Sequence, residues 1–330
     1  MSGSHKGAIL AIAAAQGEAD RVDRLAHKRL RLPMPLPEAK IVDSPNSNSP
    51  TCPMCSEGDP RILVRKEFAD RAYNLACCKR CGLHFCLPPP SEAQIKEFYA
   101  GDYHSNLRMA GATEKAFGRK FASYRDWLLR FLTEGRTLDI GTGTGLFPSL
   151  LKQAGFDAEG LEYNQLSAQW GEAHYGVKIR AERLEQSGAV RGAYDLISMT
   201  DVLEHTENPL RYLRTVREYL KPDGFMLVTF PDIKSLESRY LRFWSQVFRR
   251  GWIWSNCHIP LHVWEFTPAT AEAMFQMAGF DILGFRRSQV PPETSASVIG
   301  LLTLPLQIFR IPAIGRRIGT QMEFIIRNKT

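Results

Sequence analysis

Eight residues, LDIGTGTG at 138–145, place three alternate glycines just behind an acid. Gly141, Gly143 and Gly145 let the chain turn tightly and let a ligand approach the backbone without meeting a Cβ. A helix starting there turns unpaired N–H groups and a positive dipole end toward an anion. A dinucleotide pyrophosphate prefers G-x-G-x-x-G, but here the third glycine falls one place early and Leu146 fills the later slot. Asp139 would repel a pyrophosphate, yet it can accept a hydrogen bond from an amine. S-adenosylmethionine (SAM) carries an ammonium beside a carboxylate and suits this pairing. Glu162, seventeen residues after Gly145, stands where a carboxylate accepts the protons of both ribose hydroxyls.

The second set of chemical residues is thiols. Six of the seven cysteines lie between residues 52 and 86, and the seventh is Cys257. Cys52 and Cys55 form one C-x2-C knuckle, Cys78 and Cys81 another, with 22 residues between them. Two knuckles supply the four soft tetrahedral ligands that zinc prefers, and a closed thiolate set leaves no open position, so the metal is expected to be structural. Cys77 and Cys86 are spare. Metal-bound thiolates imply a reducing, cytoplasmic setting.

These residues need elements to hold them. Residues 1–50 read as a disordered leader and linker, basic from Arg21 to Arg31 and rich in Pro, Ser and Asn near its end. The short apolar run Gly7–Ala15 has a short h-region and a weak n-region for a signal peptide, so a disordered or loosely helical leader is the favoured reading. A metal module is expected at 51–90 and a helical connector at 91–135, with apolar residues at helical spacing from Phe117 to Phe131. From 136 to 330, short apolar runs alternate with helical segments. Strands are expected at 137–140, 157–161, 177–180, 194–199, 225–230, 280–285 and 323–327. Helices are expected at 148–154, 165–174, 209–220 and 269–278, and the turn 221–224 closes the third. Such βα alternation gives an α/β fold, a parallel sheet wrapped by helices on both faces, with ligand at the C-terminal strand edge.

Three blocks, LDIGTGTG (138–145), YDLISMTDVLEHTENP (194–209) and LKPDGFMLVTFP (220–231), carry a resemblance to the class I SAM-dependent methyltransferases. HIPLHVWEFTP (258–268) and AGFDILG (278–284) extend it over roughly the last 200 residues. The stretch is similar to the small-molecule branch that includes ubiquinone-biosynthesis O-methyltransferases and bacterial sugar methyltransferases. The resemblance implies a Rossmann-like seven-stranded sheet, ribose binding by Glu162, adenine contacts near Arg183 and Leu184, and a methionine pocket bordered by Thr200 and Asp201. The cysteine module resembles the N-terminal zinc ribbon of many bacterial methyltransferases, with His84 where an aromatic is usual. In related quinone enzymes an acid-x-x-Glu-His pattern holds a divalent metal; Asp201, Glu204 and His205 match it, and oxygen-rich ligands suit magnesium.

A methyl transfer to a hydroxyl needs a base. His205, just past the fourth strand, and His262, in the 233–268 cap, are the two candidates. The expected acceptor is a small molecule: a saccharide, a lipid-linked glycan or a related metabolite. The formal net charge of +7 favours acidic partners but is modest for this length. RNA, gripped by the zinc ribbon, is therefore the less favoured acceptor, and a non-catalytic binding protein the least. Within an apolar insertion expected at 290–320, Val298–Ile311 suggests either a buried hairpin or peripheral contact with a membrane. The Arg- and Trp-rich stretch from Arg239 to Trp254 reads as an amphipathic cap helix with a solvated basic face, or as a segment that lines an acceptor pocket or touches lipid headgroups.

Overall fold

The computed structural model describes residues 51–68, 71–91, 93–95, 110–249, 254, 257–288 and 319–329. The expected leader, the Val298–Ile311 segment and the Arg250–Trp252 part of the cap lie outside these residues. Two antiparallel strands, β1 (Arg61–Phe68) and β2 (Arg71–Cys77), form a hairpin, and β3 (His84–Leu87) pairs with β2. The Cys78–Cys81 knuckle is the turn between β2 and β3. A long helix, α1 (Ala110–Leu128), then leads into the large sheet.

That sheet contains β4 (Arg136–Ile140), β5 (Asp157–Leu161), β6 (Lys178–Arg180), β7 (Tyr194–Thr200), β8 (Leu220–Pro231), β10 (Phe280–Ser288) and β11 (Gln321–Asn328). Between them run α2 (Leu146–Gln153), α3 (Gln165–Tyr175), α4 (Pro209–Arg217), α5 (Leu236–Val247), the two-residue strand β9 (Trp264–Glu265) and α6 (Pro268–Met277). The order is β10-β11-β8-β7-β4-β5-β6, with β4, β5, β6, β7 and β8 parallel and β11 antiparallel to both of its neighbours. The order reverses beside β4, and a parallel sheet opens its ligand crevice at such a switch point.

Local chemistry explains the helix starts. Asn208 accepts from the Arg211 N–H at 3.0 Å and Pro209 opens α4, satisfying donors that a helix start leaves orphaned. At α6, Thr267 and Thr270 cap one another's backbone. The expected turn at 221–224 lies inside β8 as a bulge: Tyr194 pairs with Leu220 and Leu196 with Phe225, and Asp223 takes a positive φ of 61°. The strand is longer than expected, since Leu220 pairs with Tyr194 ahead of the bulge, and Lys221 within it donates to Asp195 at 2.7 and 2.8 Å.

The cysteine module shares the main core. Cys52, Met54, Leu83 and Phe85 belong to one continuous buried cluster with Leu210, Trp264 and Met274. Moreover, β9, from the cap, joins the small sheet by pairing with β3.

Candidate active site

The cofactor side starts where β4 meets α2. Gly141 has φ +71°, and a Cβ there would lie 2.5 Å from Cγ2 of Val202. Gly145, at φ +82°, caps α2, and its Cβ would lie 2.5 Å from Cδ1 of Ile179. Both positions demand glycine for conformation and for room. Gly143 has another role: its N–H donates to Oε2 of Glu162 at 2.8 Å, while the Asn164 N–H donates to Oε1 at 2.8 Å. Glu162, at the end of β5, therefore clasps the glycine loop.

Asp139 is only 1% exposed and lies inside the sheet. Ser198 donates to its Oδ1 at 2.6 Å. Burial pushes its carboxyl up to about 7, against the pull of Ser198 and Thr142. The sequence suggested direct contact with an amine; the fold gives Asp139 a buried place behind the loop, beside Ser198 of β7. Arg183 is exposed, with its guanidinium 5.8 Å from the ring centre of Tyr163, whereas Leu184 is buried in the core. Tyr163, 57% exposed immediately after Glu162, escaped the sequence reading, although its position beside Glu162 was a usable signal.

Thr200 ends β7, and Asp201 follows with φ +58°, an uncommon conformation for a residue with a side chain. Lys120 of α1 donates to Asp201 Oδ2 at 2.9 Å, and Gln321 and Thr229 donate to Oδ1. Burial would raise this carboxyl, but Lys120 outweighs it and holds the group below the usual carboxylate range. Lys120 also escaped the sequence reading, although it sits on the apolar stripe of its helix.

The next turn, Leu203–His205, brings Glu204 and His205 beside His262. His205 Nδ1 donates to the Leu261 carbonyl at 2.8 Å, so this nitrogen carries the proton. The His205 and His262 rings are 4.8 Å apart and nearly perpendicular. Burial pushes both imidazoles down to about 4. Glu204 is buried, and burial followed by the nearby Asp201 charge raises its carboxyl. Since Val202 touches Gly141 and Glu204 and His205 follow directly, one short segment joins both sides of the site.

The acid-x-x-Glu-His pattern does not converge as expected. Glu204, His205 and His262 each place a donor atom within 4.8 Å of the others, while Asp201 is engaged by Lys120 and Gln321. Two imidazoles and one carboxylate are not the oxygen-rich set of a magnesium site, and magnesium is not supported.

At the other end, Cys52, Cys55, Cys78 and Cys81 bring four buried sulfurs within 4.8 Å of one another. The Cys52–Cys81 and Cys55–Cys78 sulfurs lie 3.5 Å apart, close to the ~3.8 Å edge of a tetrahedron with 2.3 Å zinc–sulfur bonds. The donor set fits zinc, which would tie both knuckles together. Cys77 and Cys86 stand apart from the four.

A model of the methyltransferase domain matches residues 116–284. Among curated proteins, a ubiquinone biosynthesis O-methyltransferase of Bordetella avium is 31% identical over 167 residues, covering 48% of this chain and 67% of that protein. Its counterpart in Caulobacter vibrioides is 33% identical over 130 residues, covering 37% and 50%. The chain thus spans about half to two thirds of the length of these relatives. A solved complex containing the Haloferax volcanii Trm112 methyltransferase activator aligns with a TM-score of 0.52 at 14% identity, over 72% of this chain and 98% of that one, which bears on the fold alone.

Proposed function

This chain belongs to the methyltransferase-domain family, and from that premise we propose that it is a SAM-dependent enzyme that methylates a small-molecule acceptor, a hydroxyl on a saccharide, lipid-linked glycan or related metabolite. SAM supplies the electrophilic methyl carbon; the protein's task is to hold the acceptor in line and take its proton. Gly143 and Glu162 form the cofactor clasp, with Tyr163 and Arg183 beside it. In the acceptor hydroxyl's attack, the oxygen–carbon bond forms as the carbon–sulfur bond breaks, and the bond pair leaves with sulfur. The hydroxyl proton passes to the His205–His262 pair.

The carrying observation is the clasp, in which Glu162 accepts one N–H from the glycine loop and one from Asn164 at 2.8 Å each. Calorimetry of SAM and of its demethylated product S-adenosylhomocysteine (SAH) tests it. Glu162→Ala is expected to weaken both by about 1.5–3 kcal/mol, the range for hydrogen bonds to a charged group. Unchanged affinity would remove Glu162 from the site, and no binding to the metal-replete wild type would remove the enzyme reading. Where binding holds, radiolabelled methyl transfer to panels of sugars, quinones and RNA decides the acceptor class.

A further inference from the structure

His262 is held from two sides, and one of them is the cysteine module. Val263, its neighbour, accepts the Cys86 N–H of β3 at 2.9 Å and gives its own N–H to the Glu204 carbonyl at 2.9 Å. One residue therefore links the small sheet to the turn carrying Glu204 and His205. The next two residues form β9, where Trp264 faces Phe85 and Glu265 faces His84. The Trp264 indole N–H donates to the Thr206 carbonyl at 2.6 Å, closing the same link one step further on. Glu265 accepts the His258 N–H at 2.9 Å and lies 3.4 Å from Nδ1 of His262.

A second tether starts on β1. The largely buried Lys66 ammonium donates to the carbonyl of Trp254 at 2.9 Å and to that of Cys257. Around it, Tyr73, Leu75 and Cys86 of the module pack with Trp254, Cys257 and Ile259. The Cys78–Cys81 knuckle sets the turn from β2 into β3, the strand that carries Cys86. A metal on the four sulfurs thus fixes the strand that fixes Val263. By contrast, the Glu162 clasp is built from the loops after β4 and β5.

We propose that the cysteine module is the positioning element of the acceptor wall: its metal-closed knuckle and Lys66 hold Trp254 and residues 257–266, and so His262 against His205, while the cofactor clasp stands without them. Lys66 is a positioning residue acting through the Trp254 and Cys257 carbonyls. The proposal rests on reading the histidine pair as the acceptor face, but its test needs neither an acceptor nor turnover.

The test compares the zinc-replete full chain with the chain stripped by a chelator under reducing conditions, by amide hydrogen exchange and SAH calorimetry. Stripping is expected to speed exchange across 257–266 by about tenfold or more, as in local opening. Exchange across 136–162 should change by less than about twofold, with SAH affinity held within about threefold. Lys66→Met, still carrying zinc, should speed exchange at Trp254 and 257–258 and shift the Trp254 indole resonance, and Lys66→Arg should restore both. A merely stabilising lysine would move exchange everywhere and SAH affinity with it. Unchanged exchange at Trp254 and 257–266 after stripping, or in Lys66→Met, overturns the proposal. So does collapse of the 136–162 protection along with that of 257–266, which would make the metal a support of the whole fold. Absence of SAH binding in the zinc-replete wild type fails the SAM reading instead, and the exchange patterns still decide this one.

Discussion

With burial holding His205 and His262 near 4, both rings are neutral at pH 7 and can accept a proton there. His205 spends its Nδ1 proton on Leu261, which leaves Nε2 as its basic nitrogen. Since the rings lie 4.8 Å apart, charging one raises the cost of charging the other, so the pair takes up one proton in a turnover. A depressed base titrates below the usual histidine range. The acidic limb of kcat/KM is therefore expected near pH 4–5, and a limb at about 6.5, the ordinary imidazole value, would show that neither ring is the base. His205→Gln and His262→Gln are expected to lower the rate by about 10²–10⁴, the worth of a general base, with SAH affinity unchanged. Lys120→Met tests a different residue. It strands Asp201 without its cation, and partial exposure of that carboxylate (39%) reduces the cost from the usual buried-pair figure to about 1–3 kcal/mol, readable as a lowered urea midpoint.

The glycine loop is the element the sequence announced most clearly, because its constraint is local: Gly141 and Gly145 must take positive φ where a Cβ would strike Val202 or Ile179. Gly145→Ala is expected to cost about 1–2 kcal/mol for the left-handed backbone alone, plus the displacement of Ile179, and to weaken SAH; a variant with wild-type melting would mean the loop relaxes freely. Most strands of the large sheet were legible for the same reason, since apolar runs and their punctuating turns are local patterns. What escaped depends on distant partners. β9 is two residues long and exists because β3 lies beside it. Lys120 looks like a misplaced cation on an apolar stripe until Asp201, 81 residues away, supplies its counter-charge. The 221–224 turn became a bulge because β7 continues past it. The four thiols were legible from spacing alone, but not the way their hairpin enters the main core. Metal analysis by mass spectrometry is expected to find one zinc per chain, lost in Cys81→Ser and kept in Glu204→Gln; zinc lost only in the latter would move the metal to the histidine side.

At the scale of the whole molecule, buried groups of opposite character set the response to pH. His205 and His262 resist protonation in the fold but accept it in the unfolded chain below about 6.5, so their contribution is lost as pH falls from about 6.5 toward 4. Asp139 and Glu265 are pushed up to about 7 by burial; the unfolded chain releases these protons near 4 and the fold keeps them, so their contribution is lost as pH rises from about 4 to 7. The two trends oppose each other across the same window, so the net slope of stability there is smaller than either set alone would give. Below about 4 it should fall, as Asp195 and Asp201, whose carboxyls Lys221 and Lys120 hold below their ordinary value, lose their charge. One substitution removes a single arm of this balance. Glu265→Gln keeps an oxygen for the His258 N–H but has no proton to lose, so its stability relative to wild type should rise between pH 5 and pH 8. Two pH units of the titration window correspond to about 2–3 kcal/mol. Urea midpoints of both proteins at the two pH values measure the difference directly: a relative gain of that sign places a protonated Glu265 beside His262 in the native wall, and an equal or opposite change would mean that the carboxyl is already ionised there at pH 5.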